Sequence, residues 1–390
     1  MTIELRGNWR IPTEILAGAG RIAELPGRVK ALGIKRVLIV TDPGVAGLPF
    51  FAAIVAGLEA EGIAPAVFHD VNPNPIAANV AAGAEVYKAH GAEAVIAIGG
   101  GSGLDCGKTI ALAVSTSRPL WDFEITLAGP ELDRPLPPIF AVPTTAGTGS
   151  EVGRASVVTD TSIGRKLILL HAQMLPRLVI LDPELTFGLP ASITAWTGMD
   201  ALAHCLEAYY GPFYNPFADG IAIQGMLLVK ENLITAVNEP RNANARMNML
   251  AAASMGATAF QKALGAIHSL SHPIGARFHA HHGLTNAVLM PYVLAYNRPV
   301  IEERMAVLAR CLGLAGGFDG FLTWVLDLRA ALKIPHTIVD LKVTEDALDG
   351  LAQEAFLDPN TPDNPRPATA ADMKRILVAA MKGSLDGLGA

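Results

Sequence analysis

Histidines are concentrated in one short stretch of this 390-residue sequence. Five of its ten histidines lie between residues 268 and 282, namely His268, His272, His279, His281 and His282. His268 and His272 are four residues apart, and Asp200 and His204 repeat that spacing. On a helix, residues four apart project from one face. Two such helices would present imidazoles and a carboxylate, which suit a divalent transition metal. The spacing leaves open which of the four later histidines would be the last ligand.

A glycine-rich loop, Gly99-Gly100-Gly101-Ser102-Gly103, follows an apolar run and precedes a helical pattern. Glycines allow the backbone to approach an oxyanion, and a helix N-terminus offers free N–H groups, so the loop predicts phosphate binding. The dinucleotide pattern Gly-x-Gly-x-x-Gly is not matched, because Cys106 occupies its last position. The nucleoside triphosphatase pattern is a near miss, because Ser102 stands where it needs glycine. A triphosphatase therefore stays as an alternative.

Two further features could serve a nucleotide. Residues 143–151 form a second loop rich in glycine, threonine and serine, whose hydroxyl groups could contact a cofactor. Asp42 follows a strand-like run, where an acidic side chain can bond ribose hydroxyls and repel a 2′-phosphate. The alternative for residues 143–151 is an ordinary flexible loop, and the alternative for Asp42 is a solvated turn residue.

The elements that would position these residues change in type near residue 187. Before it, apolar strand-like runs at 36–41, 66–68, 94–98, 139–142 and 178–181 alternate with helical patterns. This alternation predicts a parallel sheet covered on both faces. After it, the pattern is helical throughout. We therefore predict an α/β dinucleotide-binding domain over residues 1–187 and an all-helical domain over residues 188–390.

Composition excludes several classes of protein. Hydrophobic residues make up 51% of the chain and charged residues 17%, which favours a well-packed fold over disorder. The net charge of −6 and the lack of a basic run argue against nucleic-acid binding. No apolar run reaches 18 residues, and residues 1–6 lack the features of a secretory signal. Three cysteines without a Cys-x-x-Cys pair make a disulfide scaffold improbable. A cytoplasmic enzyme without a membrane partner is expected.

Taken together, the motifs resemble those of the iron-containing (group III) alcohol dehydrogenases, which have the dehydroquinate synthase-like fold. The resemblance extends over nearly the whole chain. It is carried by residues 99–108, 143–152, 182–185, 198–208, 268–275, 282–283 and 364–367.

This resemblance implies roles for individual residues. The metal ligands would be Asp200, His204, His268 and His282. His272 would lie beside the metal and the cofactor as a catalytic proton relay, whereas His279 and His281 have no ligand role. The cofactor contacts would be Asp42, Gly99, Gly100, Gly101, Ser102, Thr144, Thr145, Thr148 and Lys166, with Thr186 and Leu189 flanking the nicotinamide.

The resemblance also implies a reaction. A bound Fe²⁺, or Zn²⁺ or another divalent transition metal, would act as a Lewis acid on the substrate oxygen, and NAD rather than NADP would carry the hydride. The helical domain would then bind both metal and substrate, and the chain would form a homodimer or a higher homo-oligomer.

Two departures from the family bear on the substrate. Phe260 stands in a segment where many relatives have small residues, and Asn360 replaces a cysteine, so both are predicted to line the substrate pocket. No basic cluster suggests a phosphorylated substrate, and we expect short unphosphorylated primary alcohols, diols or aldehydes. The alternatives are a maleylacetate reductase-like enzyme, a hydroxy-acid dehydrogenase, a lyase of the dehydroquinate synthase type, and a nucleotide-binding regulator without activity.

Overall fold

A computed structural model of the chain describes residues 13–127 and 129–389. Residues 1–6, from which no secretory signal was predicted, lie outside the described residues. The described chain divides into two compact units, one up to Gly188 and one from Leu189 onward.

The first unit is built on a six-stranded sheet in which every pair of neighbouring strands is parallel. The strand order is β1-β8-β5-β4-β2-β3. Two further strands, β6 and β7, form a separate antiparallel pair. The strands are β1 (Glu14–Ala17), β2 (Arg36–Val40), β3 (Ala64–Phe68), β4 (Ala94–Gly99), β5 (Ile139–Pro143), β6 (Ala155–Asp160), β7 (Arg165–Leu170) and β8 (Leu178–Leu181).

Helices cover both faces of this sheet. They are α1 (Leu25–Ala31), α2 (Pro43–Ala46), α3 (Pro49–Ala60), α4 (Ala77–His90) and α5 (Gly101–Ala113). Successive residues of β2 show why two faces must be covered, because Ile39 belongs to one buried apolar cluster while Leu38 and Val40 belong to another. Side chains alternate between the faces of a strand, so a continuous apolar run requires packing on each side.

The second unit is helical, and its described residues include no strand. Its helices are α6 (Ala191–Tyr210), α7 (Pro216–Asn238), α8 (Ala243–Ala259), α9 (Ala266–Phe278), α10 (His282–Cys311), α11 (Gly317–Ala331), α12 (Leu348–Phe356) and α13 (Ala370–Lys382). The predicted fold class, a parallel-sheet α/β part followed by a helical part, is confirmed.

Three strands were not predicted from the sequence. The hairpin of β6 and β7 is joined by residues 161–164, which end in Gly164 with a φ of 65°. Alternate residues of β6 are buried, but Ser156 and Asp160 among them are polar, so the sequence shows no apolar alternation at this strand. The four-residue strand β1 pairs only with β8 at the edge of the sheet, and so short a segment has little pattern of its own.

Helix α7 qualifies the expectation that the chain has no membrane span. By length and composition it is long and apolar enough to cross a membrane. The core helices of water-soluble proteins pass the same test, so this is weak evidence. Helix α7 packs against both α6 and α8.

Candidate metal and cofactor sites

Four side chains from three helices of the second unit converge on one point. Asp200 and His204 come from α6, His268 from α9, and His282 from the first position of α10. Each offers one ligand atom, and these atoms all lie within 4.8 Å of one another. This group, hereafter the metal cluster, contains one carboxylate and three imidazoles, a donor set that fits Fe²⁺, Zn²⁺ and other divalent transition metals.

The metal cluster is closely packed. The rings of His204 and His268 are stacked with their centroids 4.7 Å apart, and His282 Nε2 lies 3.5 Å from Asp200 Oδ1. Close approach of α10 to α6 makes this possible, because a Cβ at Gly283 would lie only 2.2 Å from the carbonyl oxygen of Trp196. A larger residue at Gly283 would therefore push His282 away from Asp200.

The other histidines of the 268–282 stretch lie in different surroundings. The ring of His272 stacks beside His282 with centroids 5.5 Å apart, but His272 is outside the metal cluster. His279 ends α9 in the left-handed conformation and is exposed. His281 precedes α10, and its ring lies 5.1 Å from that of Trp196.

Glu207 supports the metal cluster from behind. Its Oε2 lies 2.5 Å from His268 Nδ1, and its Oε1 accepts hydrogen bonds from the Ile267 amide at 2.8 Å and the Tyr210 hydroxyl at 3.2 Å. Burial alone would lower the pKa of His268, but the carboxylates of Glu207 and Asp200 raise it above its ordinary value. The surroundings of His268 therefore favour positive charge.

Asn286 contacts three members of the metal cluster at once. Its Nδ2 lies 2.8 Å from Asp200 Oδ1 and 3.2 Å from the Nε2 atoms of both His268 and His282. Its Oδ1 is buried and has no hydrogen-bond partner among the described residues. The side chain is one turn beyond His282 on α10, so this contact follows from the i, i+4 spacing.

Asp358 connects His272 to a turn near the C-terminus. His272 Nδ1 lies 2.7 Å from Asp358 Oδ2. The other carboxylate oxygen, Oδ1, accepts hydrogen bonds from the backbone amide and the side-chain Nδ2 of Asn360, each at 2.9 Å. Burial alone would raise the pKa of Asp358, but His272 and the Asn360 bonds together hold it below its ordinary value.

The segment after α8 brings Phe260 to the metal cluster. Its ring centroid lies 5.1 Å from that of His204. Two residues later, the fully buried ammonium of Lys262 donates to Asp219 Oδ1 at 2.6 Å and to the Tyr209 carbonyl at 3.0 Å. These two bonds fasten the segment to α6 and α7.

In the first unit, the predicted cofactor residues follow the carboxyl ends of neighbouring strands. Asp42 follows β2, the glycine loop follows β4, Thr144 follows β5, and Thr186 lies just after β8. In open parallel sheets, ligands bind outside the carboxyl ends of the strands. The strand order thus brings four separate sequence segments together at the carboxyl ends of the strands.

The glycine loop lies close to the side chains around it. A Cβ at Gly101 would lie 2.7 Å from Thr148 Oγ1, and one at Gly100 would lie 3.3 Å from Thr145 Oγ1, so a larger residue at Gly101 would require the Thr148 side chain to move. A Cβ at Gly99 would lie 3.5 Å from the Asp42 carboxylate. The glycines therefore let the backbone of the loop approach the hydroxyl groups of Thr145 and Thr148 closely.

Asp105 and Lys108, which belong to the glycine-loop motif, hold the second loop in place. Lys108 is buried, and its Nζ donates to the carbonyls of Ser150 at 2.9 Å and Gly153 at 3.4 Å. Asp105 accepts from the hydroxyl of Ser150 and, at 2.9 Å, from the Val157 amide. These contacts occupy both side chains, so neither Asp105 nor Lys108 is available to bind a ligand.

The remaining predicted contacts have these positions. The hydroxyl of Ser102 donates to the Pro73 carbonyl at 2.5 Å. Lys166 lies on β7, where burial lowers its pKa while Asp105 opposes the shift. The Thr186 hydroxyl donates to the Pro183 carbonyl at 2.7 Å. Leu189 is half-buried ahead of α6.

Sequence analysis assigned no role to Glu207, Asn286 or Asp358. The first two carried a signal, because Glu207 follows His204 by three residues and Asn286 follows His282 by four, spacings that share a helix face. Asp358 is 86 residues from His272, so no local pattern could have joined them.

Known proteins resemble the chain from end to end. The family model for iron-containing alcohol dehydrogenase matches residues 12–183, and the model for the C-terminal part of the Fe-containing alcohol dehydrogenase family matches residues 194–381. A 4-hydroxybutyrate dehydrogenase of Cupriavidus necator is 38% identical over 379 residues, which cover 95% of this chain and 98% of that protein.

Two solved structures extend the comparison. A 1,3-propanediol oxidoreductase has a TM-score of 0.92 and 34% identity, covering 96% of this chain and 99% of its own. A sulfoacetaldehyde reductase from Bifidobacterium kashiwanohense, solved in complex with NAD⁺, has a TM-score of 0.89 and 29% identity, covering 97% and 99%. The resemblance drawn from the motifs is confirmed. The chain therefore belongs to the iron-containing alcohol dehydrogenase family and is an oxidoreductase of the alcohol dehydrogenase type.

Proposed function

We propose that the chain is a metal-dependent, NAD-linked alcohol dehydrogenase that interconverts short primary alcohols or diols with their aldehydes. The observation that carries this proposal is the convergence of the buried Asp200, His204 and His268 with the half-buried His282. A carboxylate and three imidazoles brought within one ligand sphere have little structural purpose without a cation. The family name supports Fe²⁺ as that cation, and Zn²⁺ has the same donor preferences.

In this proposal each part of the metal cluster has its own task. Asp200 and the three histidines would hold the ion, Glu207 would orient His268, and Asn286 would orient Asp200. A divalent ion held there would polarise the substrate oxygen and lower the pKa of an alcohol. Phe260, next to His204, would limit the space for the rest of the substrate.

The carboxyl ends of the parallel strands are proposed to form the nucleotide site. The glycine loop at the start of α5 would receive the pyrophosphate, because its N–H groups and helix dipole favour an anion. Asp42 would bond the ribose, and Thr144, Thr145, Thr148 and Lys166 would complete the contacts, with Thr186 and Leu189 beside the nicotinamide. The complex of the related sulfoacetaldehyde reductase with NAD⁺ supports this cofactor. Residues 1–187 would thus be the dinucleotide-binding domain, and 188–390 the metal- and substrate-binding domain.

The substrate class follows from chemistry and from relatives. A 1,3-propanediol oxidoreductase and a 4-hydroxybutyrate dehydrogenase both act on compounds whose names specify a short chain with a terminal hydroxyl. The second name makes a hydroxy acid the alternative substrate. We propose a cytoplasmic enzyme that forms a homodimer or higher homo-oligomer.

A substrate panel tests the proposal. Protein loaded with Fe²⁺ is assayed with NADH and NADPH on aldehydes, and with the oxidised cofactors on alcohols, diols and 4-hydroxybutyrate. We expect the highest kcat/KM on unphosphorylated primary alcohols, diols or aldehydes of short chain. A preference of about a hundredfold or more for a phosphorylated or dicarboxylate compound, roughly 2.7 kcal/mol, would overturn the proposed substrate class. A clear preference for 4-hydroxybutyrate would select the alternative.

Matched histidine variants test the metal. His282→Ala should lose both bound metal and activity, measured by elemental analysis and NADH oxidation, while far-UV circular dichroism stays unchanged. His279→Ala removes an exposed imidazole three residues away and should be mild. Full activity of metal-free His282→Ala protein would refute a metal-dependent mechanism.

A further inference from the structure

The contacts of Asn360 are with a carboxylate. The side-chain Nδ2 and the backbone amide of Asn360 both donate to Asp358 Oδ1 at 2.9 Å. The sequence predicted that Asn360 lines the substrate pocket, and these bonds support a further role for its side chain.

Asp358 in turn has a partner for each carboxylate oxygen. Oδ1 receives the two Asn360 bonds, and Oδ2 lies 2.7 Å from His272 Nδ1. The Asp358 side chain is only 9% exposed, whereas that of His272 is 20% exposed. The carboxylate is thus fixed in orientation from one side and presents its free lone pairs to the imidazole on the other.

The partner at Nδ1 decides the state of the imidazole. A carboxylate can only accept, so the proton of neutral His272 must lie on Nδ1, which leaves the lone pair on Nε2. Hydrogen bonding of one ring nitrogen to a carboxylate also fixes the orientation of the ring.

His272 lies where a free lone pair on Nε2 can take part in the reaction. Its ring stacks against that of His282 with an interplanar angle of 15°, and it lies 6.1 Å from the ring of His268. It therefore lies alongside two members of the metal cluster without belonging to it. If the metal cluster holds the substrate oxygen, as proposed, a base at this place lies near the hydroxyl that loses its proton during alcohol oxidation.

We propose that Asp358 and Asn360 are positioning residues that hold His272 in the Nδ1–H form, so that Nε2 accepts the proton released when an alcohol is oxidised and returns it when an aldehyde is reduced. This inference rests on the proposed function. Asn360 acts through Asp358 rather than on the substrate. In oxidation the O–H bond would break as the Nε2–H bond forms, and the C–H bond of the same carbon would break as its hydride passes to NAD⁺, which leaves a C=O double bond.

A competing explanation is that Asp358 only stabilises a turn. The Thr361 amide donates to the Asp358 carbonyl at 3.0 Å, and the Thr361 hydroxyl donates to the Ala355 carbonyl at 2.6 Å. Thr361→Val would loosen this same turn without removing a bond to the Asp358 carboxylate. It is therefore the matched control for Asn360→Ala, which removes one such bond.

The kinetic test compares kcat and KM along a series of primary alcohols of increasing chain length. Asn360→Ala should lower kcat by one common factor for every alcohol, with KM unchanged, and Asp358→Ala should lower kcat by roughly tenfold to a hundredfold. Thr361→Val should have neither effect. A change in KM that varies with chain length in Asn360→Ala would show direct substrate contact and overturn the inference. So would a kcat loss in Thr361→Val equal to that in Asn360→Ala.

A spectroscopic test needs no activity. Nitrogen-15 NMR of histidine-labelled protein, with the His272 signals identified by their loss in His272→Gln, reports which ring nitrogen carries the proton. We expect the Nδ1–H form in the unmodified protein and a mixture of both forms in Asp358→Ala. An Nε2–H form in the unmodified protein would overturn the inference. If the unmodified protein oxidises no alcohol, the proposed function fails, whereas this measurement still decides the His272–Asp358 relationship.

Discussion

Glu207 Oε2 lies 2.5 Å from His268 Nδ1, and both side chains are buried. The same carboxylate accepts a hydrogen bond from the Ile267 amide through its other oxygen, so its orientation is fixed by the backbone of α9. A carboxylate in this position holds the imidazole with its Nε2 lone pair directed away, toward the metal cluster. Glu207 thus links α6 to α9 and, in the proposed function, would orient His268 as a metal ligand.

Glu207→Gln should weaken metal binding. The amide can still hydrogen-bond to His268, but it removes the negative charge that favours a cation at the neighbouring ring. Loss of such a partner typically weakens metal affinity about 10–100-fold. The measurement is a competition titration of metal-free protein with a chromophoric chelator, using Co²⁺ or Zn²⁺ as the probe.

Tyr210→Phe is the matched control for this prediction. It removes the 3.2 Å bond to Glu207 Oε1 and a hydrogen bond with Asn297, and leaves the contacts of Glu207 with Ile267 and His268 intact. Metal affinity should then change little. Equal affinities in Glu207→Gln and the unmodified protein would mean that Glu207 serves only to join the two helices.

Asp42→Asn should reduce the preference for NADH over NADPH. The Asp42 Oδ1 accepts a hydrogen bond from the Val45 amide at 3.0 Å at the start of α2, and asparagine preserves that cap while removing the charge. Repulsion of the 2′-phosphate would then be lost. We expect the ratio of kcat/KM values for the two cofactors to fall about tenfold, or about 1.4 kcal/mol.

Asp42→Gly separates charge from shape, because it also opens space near Gly99. Asp42→Gly should lower the ratio of kcat/KM for NADH to that for NADPH still further, or reverse the preference to NADPH. If the unmodified enzyme uses NADPH better than NADH, the interpretation of Asp42 is wrong.

Much of the fold could be predicted because the pattern is local. Five of the six strands of the parallel sheet are continuous apolar runs, and turn residues such as Asp42-Pro43-Gly44 mark their ends. The antiparallel hairpin was missed because the buried residues of β6 include the polar Ser156 and Asp160, so its apolar signal is weaker than that of a run buried on both faces.

The candidate site was predictable only in part. Spacing along one helix pairs Asp200 with His204, but spacing cannot say that α10 will approach α6 closely enough at Gly283 for His282 to reach Asp200. The contact of His272 with Asp358 depends on the packing of α9 against the C-terminal turn. Such contacts arise from tertiary structure and leave no periodic trace in the sequence.

Lys262→Met should change how stability depends on pH. Burial lowers the pKa of Lys262 from 10.5 to about 8, although Asp219 partly opposes the shift. Between these values the unfolded chain binds more protons than the folded protein, so folding stability rises with pH. The full shift corresponds to about 3 kcal/mol. The unfolding free energy of the unmodified protein relative to that of Lys262→Met should therefore increase from pH 8 to pH 10.5.

Urea denaturation across this pH range measures the effect. In Lys262→Met, Asp219 keeps its ion pair with Arg304 at 2.8 Å, so the substitution does not leave a carboxylate without a cation. Lys30→Met, which removes an exposed ammonium, is the control and should produce no such slope. A constant difference between the unmodified protein and Lys262→Met over this range would show that Lys262 keeps its proton when buried.

Phe260→Ala should shift the preferred substrate toward longer chains. The metal cluster would fix the substrate oxygen, and the nicotinamide would fix the carbon that exchanges hydride, so only the rest of the chain is left for selection. The Phe260 ring, 5.1 Å from that of His204, is the large apolar group next to the cluster. Removing it creates room for additional methylenes, each of which contributes roughly 1–3 kcal/mol in an apolar pocket. The kcat/KM values along a series of primary alcohols should therefore peak at a longer chain, with metal content unchanged.

Phe213→Ala removes an exposed phenyl ring elsewhere and should leave the chain-length dependence of kcat/KM unchanged. An unchanged optimum in Phe260→Ala would mean that other side chains set the length limit, because a cavity beside His204 would then lie outside the path of the substrate.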